Sequence, residues 1–222
     1  MAVFDFEAFY QKNDPWDVRK KTPQSKRRLN VIESLAPILR EKRILEIGCG
    51  EGTQTKIFAG LSRAVVAFDI SETAIQRARS LNLKNVEFRV ASMTEFRDYG
   101  KFDVIILLEC LYYLGTEDQS KVLAAIKSSG HGSLVISAPI IGENQFQKYY
   151  TESELRTLLQ VHGFQVEKSR VVGIGYPPTK IERVITLMFK AAYLSPIGGA
   201  FERLWDKLPD RWIYQKLFVC RY

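Results

Sequence analysis

Three glycines on alternate positions, Gly48, Gly50 and Gly52, follow directly on the short apolar run 43–47. That junction limits the folds open to this 222-residue chain. A glycine has no Cβ, so it takes positive φ at little cost and lets another group lie against the main chain. An apolar run that stops at such a turn predicts a buried strand, a tight turn and a helix. Thr53 is the expected N-cap of that helix, which reaches about Leu61. Open α/β sheets hold nucleotides at a glycine turn between a parallel strand and a helix.

The spacing narrows the ligand. A dinucleotide fingerprint needs its third glycine three residues after the second, and that position is Thr53. Glu46, two residues before the first glycine, stands near the carboxyl end of the strand, within reach of a polar or charged ligand head. A second apolar run, 64–68, ends in Asp69, and a carboxylate there can accept both hydroxyls of a ribose. No Walker lysine follows the turn, so a triphosphate cradle is excluded. Glycines and Asp69 together point to an adenosine-like ligand.

At these residues the chain resembles the class I S-adenosylmethionine-dependent methyltransferases, whose first motif reads acidic-x-Gly-x-Gly-x-Gly. The resemblance implies a Rossmann-like α/β fold: seven mostly parallel strands, helices on both faces and an antiparallel last strand. It implies S-adenosylmethionine as cofactor, with Glu46 near its amino-acid end. The turn Gly48, Cys49, Gly50 and Gly52 would lie under it, and Asp69 with Ile70 at its ribose. The family usually has Asp or Asn after the third strand, reaching the adenine amine; here that residue is Ser92, followed by Met93. A serine hydroxyl has a shorter reach, so backbone groups of Ser92 and Met93 are the alternative.

The length suits one well-buried α/β domain. We divide it into an N-terminal helical lid (1–40), a cofactor-binding core (41–172), a helical cap (173–210) and a last strand (211–222). The start is acidic and aromatic, unlike a signal peptide, and no apolar stretch reaches membrane-spanning length. Three cysteines, Cys49, Cys110 and Cys220, suggest reduced thiols and a cytoplasmic protein. Cysteines and histidines are not clustered, so no metal site is expected. The net charge of +7 is concentrated in the N-terminal segment and from Lys168 to Arg221. Such flanks either contact phosphates or are solvated faces.

Further along, a helix is expected over 24–39, with Pro37 bending it or ending it early. Trp16 and Tyr10 in the first segment are lid and substrate-binding candidates, core packing being the alternative for Trp16. The continuous apolar run 102–108 predicts a central parallel strand buried on both faces. It delivers Glu109, Tyr112 and Tyr113 to the crevice. Glu109 is the candidate general base and also a candidate cofactor-binding residue. Tyr112 and Tyr113 are candidates for shaping the pocket or contacting a cation, and Tyr113 for touching the acceptor; wall packing is the alternative. The long connection after the sixth strand carries an apolar segment, 181–193, which we read as a cap beside the substrate mouth or a dimer contact.

Asp14-Pro15-Trp16 and Glu109-Cys110-Leu111-Tyr112-Tyr113-Leu114 look like the branch typified by the nodulation N-methyltransferases, which methylate a chitooligosaccharide amine. The expected activity is methyl transfer to an amine or hydroxyl of a small molecule or saccharide, by a monomer or homodimer. An RNA or protein methyltransferase, or a non-catalytic cofactor-binding module, stands as the alternative.

Overall fold

The structure is a computed structural model and describes residues 4–140, 149–175, 179–195 and 201–222. Pro196, Gly198 and Gly199, which follow the apolar segment 181–193 in the sequence, lie outside the described residues. A seven-stranded sheet runs in the order β3-β2-β1-β4-β5-β7-β6. Its strands are β1 (Arg43–Ile47), β2 (Ala64–Asp69), β3 (Val86–Val90), β4 (Val104–Leu108), β5 (Ser133–Pro139), β6 (Gln165–Ile174) and β7 (Ile213–Arg221). The first five are parallel, and β7 enters antiparallel between β5 and β6.

Alternate residues of the central strands supply two cores. Leu45, Ile47, Ile105 and Leu107 face one side with α6 (Thr116–Ser128) and α7 (Glu152–Val161). Ile44, Val104 and Ile106 face the other, with α2 (Pro23–Glu33), α3 (Ala36–Leu39), α4 (Thr55–Leu61) and α5 (Glu72–Arg79). This double burial explains the unbroken apolar runs, since both pleat directions leave water; each fully buried Leu or Ile contributes about 1.5–3 kcal/mol. The order reverses between β1's neighbours, β2 and β4, which opens a crevice at the carboxyl ends of these strands.

Helix ends follow local chemistry. Thr22 and Ser25 form a capping box with Pro23 in the first turn of α2, Ser71 caps α5, and Thr151 with Glu154 caps α7. The expected 24–39 helix is broken between Glu33 and Ala36, because Pro37 has no N–H for the preceding turn. One expectation is corrected: α4 begins at Thr55 rather than after a Thr53 cap, and Gln54 precedes it without a side-chain cap. Gly52 at φ +76° extends the turn before the chain becomes helical. The segment before α2 contains α1 (Phe6–Phe9). The connection from β6 to β7 folds into α8 (Lys180–Leu194) and α9 (Glu202–Trp205) over a third core of Ile174, Tyr193, Trp205 and Ile213.

Candidate active site

The turn after β1 is built for close approach. Gly48, Gly50 and Gly52 have φ of +72°, +53° and +76°. A Cβ at Gly48 would stand 2.9 Å from Cys110 Cβ, and one at Gly50 2.6 Å from Tyr10 Oη. The amides of Gly48 and Cys49 donate to Phe68 O at 2.8 and 3.0 Å, tying the turn to β2. Asp69 ends β2 and accepts from Gly50 N (2.8 Å) and Ser71 N (3.0 Å). Burial pushes its carboxyl up, and those amides pull it back. Ile70, beside it, is 56% exposed.

Glu46 is buried, and its Oε2 has no hydrogen-bond partner. Burial raises its carboxyl to about 8; the Thr55 hydroxyl opposes this and the Asp69 charge adds to it. Thr55 Oγ1 itself also lacks a partner, so the hydroxyl approaches Glu46 without closing a full hydrogen bond. A buried carboxylate oxygen left unsatisfied beside a left-handed glycine turn is costly for an isolated fold.

The first segment closes over this turn. Glu7 accepts from Ser71 Oγ at 2.7 Å and from the Thr73 amide and hydroxyl, at the N-terminus of α5. Glu51, inside the glycine turn, accepts from Asp14 N (3.2 Å), Arg77 Nη1 (2.6 Å) and the Arg19 guanidinium. Between these two anchors, Tyr10 is buried with its hydroxyl accepting from Trp16 Nε1 at 3.0 Å. Trp16 stays 40% exposed, and its ring centroid lies 6.2 Å from that of Tyr113. Phe6 meets Tyr113 edge-on at 4.9 Å, and Tyr112 lies 4.7 Å from Tyr113.

Glu109 leaves β4 with φ +58°, a left-handed backbone unusual for a side chain with a Cβ. That geometry interrupts the alternation of the strand, and the carboxylate lands beside β5. Ser137 Oγ donates to Glu109 Oε1 at 2.6 Å, and the Gln215 side chain provides a second hydrogen bond. Burial pushes the Glu109 carboxyl up, while Ser137, Gln215 and the nearby Arg28 charge hold it down. Arg28 reaches the same place from α2, its Nε buried without a hydrogen-bond partner. Arg28, Gln54, Glu109, Ser137 and Gln215 line a narrow cavity of about 10 Å³.

The structure therefore gathers Glu46, the glycine turn, Asp69, Tyr10 and Cys110 at one end of the crevice. Trp16, Tyr113 and Tyr112 adjoin it through ring contacts, while the Glu109 carboxylate lies in the narrow cavity with Arg28 and Gln215. Ser92 and Met93 follow β3, with groups already engaged: Ser92 Oγ pairs with Thr94 Oγ1 at 2.8 Å, and Met93 O accepts from Tyr99 Oη at 3.1 Å. Sequence reasoning missed Glu7, Glu51, Arg28, Ser137 and Gln215. Their partners lie 26 or more residues away in the chain, and no local pattern marks them. Among the described residues no cluster of His, Cys, Asp and Glu could hold a metal ion.

Residues 44–129 match the model of a methyltransferase domain. The chain is 28% identical over 187 residues to a ubiquinone biosynthesis O-methyltransferase of Thiobacillus denitrificans, covering 71% of this chain and 78% of that one. Its segment 44–129 is similar to the methyltransferase domain of the class I S-adenosylmethionine-dependent enzymes. This methyltransferase is also 29% identical over 131 residues to nodulation protein S of Sinorhizobium fredii, covering 57% and 56% of the two chains. Its fold superposes on the N-methyltransferase NodS of Bradyrhizobium japonicum, solved with S-adenosyl-L-homocysteine. That match has a TM-score of 0.66 at 18% identity and covers 97% and 95% of the chains.

The cofactor of this methyltransferase is S-adenosylmethionine. The residues present fit it on physical grounds. The unpartnered Glu46 Oε2 needs a donor, and Asp69 carries acceptors at the end of β2.

Proposed function

We propose that the methyltransferase modifies an amine or hydroxyl of a small molecule or saccharide, with Glu109 receiving the acceptor's proton. The observation that carries this reading is the Glu109 carboxylate at the end of β4, held by Ser137 and Gln215 and pushed up by burial. A carboxylate raised in this way is a better proton acceptor than an exposed glutamate.

When bound, S-adenosylmethionine supplies a methyl already activated by the positive sulfonium. The chain's own contribution is then position and electrostatics, and orientation of a nucleophile can supply roughly 7–11 kcal/mol. In this reading Glu46 faces the cofactor's ammonium, Asp69 accepts from its ribose, and exposed Ile70 packs beside the adenosine. Ser92 and Met93 contribute backbone amides at the base, since the Ser92 hydroxyl is engaged by Thr94. Tyr10, Trp16 and Tyr113 close the crevice against water and give the acceptor aromatic faces. Tyr112, buried next to Glu109 and with its phenol pushed far up, stays neutral and shapes the wall.

A small acceptor is favoured over RNA because much of the N-terminal basic charge is already used. Arg27 is fully buried between Glu202 and Asp206, Arg19 pairs with Glu51, and Lys26 donates to Tyr193 O. The relatives' names give the same class of acceptor: ubiquinone biosynthesis for one, and 1,6-didemethyltoxoflavin for a structural neighbour with a TM-score of 0.65. Incubation of the purified chain with S-adenosylmethionine and panels of amines, phenols and oligosaccharides, read by mass shift, tests the proposal. A methylated product from a small acceptor is expected; product only on RNA or protein overturns it.

A further inference from the structure

The outward half of α8 is apolar. Ile181, Val184, Ile185, Leu187 and Met188 are 47–74% exposed, and Leu194 follows at 50%. Steps of three and four residues place them along one side of the helix, opposite buried Thr186 and Tyr193. The inner side is satisfied: Glu182 accepts from Arg211 and Trp212, and Phe189 meets Trp205 of α9 edge-on at 5.4 Å. α9 adds Leu204, 44% exposed. A helix that is apolar on both sides is normally covered on both.

Charge decides between occupants. Lys180 on α8, and Arg203 and Lys207 around α9, are exposed at the borders of this face. The acids of the same region are engaged: Glu182 with Arg211, Glu202 and Asp206 with Arg27 and Arg170, and Asp210 3.6 Å from Lys216. A second copy docked through this face would set cations against cations, on chains of net charge +7. An anionic lipid surface meets both requirements, apolar side chains entering the headgroup boundary and lysines and arginines meeting phosphates. With 15 residues the helix is about 22 Å long. Among the described residues no helix is long and apolar enough to cross a membrane.

We propose that α8 docks the methyltransferase flat on an anionic membrane surface, with Ile181, Val184, Leu187 and Met188 entering the headgroup layer. β6 runs in the direction of β5, so α8 starts at the same sheet edge as the glycine turn and Glu109. Docking therefore sets the crevice mouth beside the lipid surface, whatever the acceptor is.

The test is co-sedimentation of the full chain with vesicles of phosphatidylcholine alone or mixed with phosphatidylglycerol. Binding to the anionic vesicles at least about tenfold above the neutral ones is expected, falling with added salt. Leu187→Ser/Met188→Ser should lose about tenfold with an unchanged melting temperature, and Lys180→Glu/Arg203→Glu should abolish the preference for phosphatidylglycerol. No binding to anionic vesicles, or equal binding by Leu187→Ser/Met188→Ser, overturns the proposal. So does a dimer in sedimentation velocity that this variant dissociates while vesicles fail to bind, which would make the face a contact between copies.

Discussion

Ser137 Oγ donates to Glu109 Oε1 at 2.6 Å, so a hydroxyl from β5 fixes the carboxylate that ends β4. The bond favours the charged form, while burial favours the neutral one and outweighs it. A base works only when deprotonated, so turnover should fall as pH drops through this raised value, at higher pH than for an exposed glutamate. Ser137→Ala removes a donor to the carboxylate and should move the acid limb of the pH–rate profile further up. Glu109→Gln should leave cofactor affinity unchanged and reduce turnover by roughly 10². Full activity in Glu109→Gln with a native-like profile would leave positioning alone to carry the reaction.

Glu46 links stability to pH. Its folded value of about 8 lies above the ordinary 4.5, so the stability it contributes is full below the lower value and lost as pH rises through the higher. At about 1.4 kcal/mol per unit the change is on the order of a few kcal/mol. Glu46→Gln, which never ionises, should match the parent's melting temperature near the lower value and exceed it near the upper one without cofactor. If an ammonium pairs with Glu46, cofactor binding at neutral pH should release a proton, seen as buffer-dependent heat in calorimetry. Equal heats in all buffers would take Glu46 away from the cofactor's charged end.

Glu51 holds the N-terminal segment through Asp14 and Arg19 and holds α5 through Arg77. Glu51→Ala should loosen that segment while the sheet stays folded. Trypsin cleavage after Lys12, Lys20 or Lys21 should then accelerate by about tenfold, with S-adenosyl-homocysteine slowing it again. Unchanged cleavage would show that the aromatic contacts of Phe6, Trp16 and Tyr113 hold the segment alone.

The site was legible in the sequence where local chemistry determines it. Alternate glycines demand a left-handed turn, and Asp69 and Glu109 stand where apolar strands stop, so their places follow from strand length. Pro37 breaks its helix for a covalent reason. The reach of Glu7 to α5, of Glu51 to Arg19 and of Ser137 to Glu109 depends on tertiary approach. The left-handed backbone at Glu109 is likewise set by its surroundings, since glutamate has no preference for it. Ser92 kept its place but spends its hydroxyl on Thr94.

Arg27 is fully buried, donating to Val171 O at 2.8 Å and pairing with Glu202 and Asp206. It joins α2 to α9 beneath the cap. Arg27→Ala should cost roughly 2–4 kcal/mol, because both acids lose a partner, though Arg170 still reaches them. For a chain of this size the melting temperature should fall by about 10 °C. A change of a degree or two would mean that Arg170 takes over both acids.

The central claim is that the glycine turn and Asp69 hold S-adenosylmethionine, and calorimetric titration of the full chain tests it most directly. S-adenosyl-homocysteine should bind with a Kd on the order of 1 μM, about −8 kcal/mol. Asp69→Asn, which keeps the size of the side chain but loses its charge, should weaken binding at least about tenfold with little change in melting temperature. Undiminished affinity in Asp69→Asn, or tighter binding of NAD than of S-adenosyl-homocysteine by the parent chain, would contradict the account.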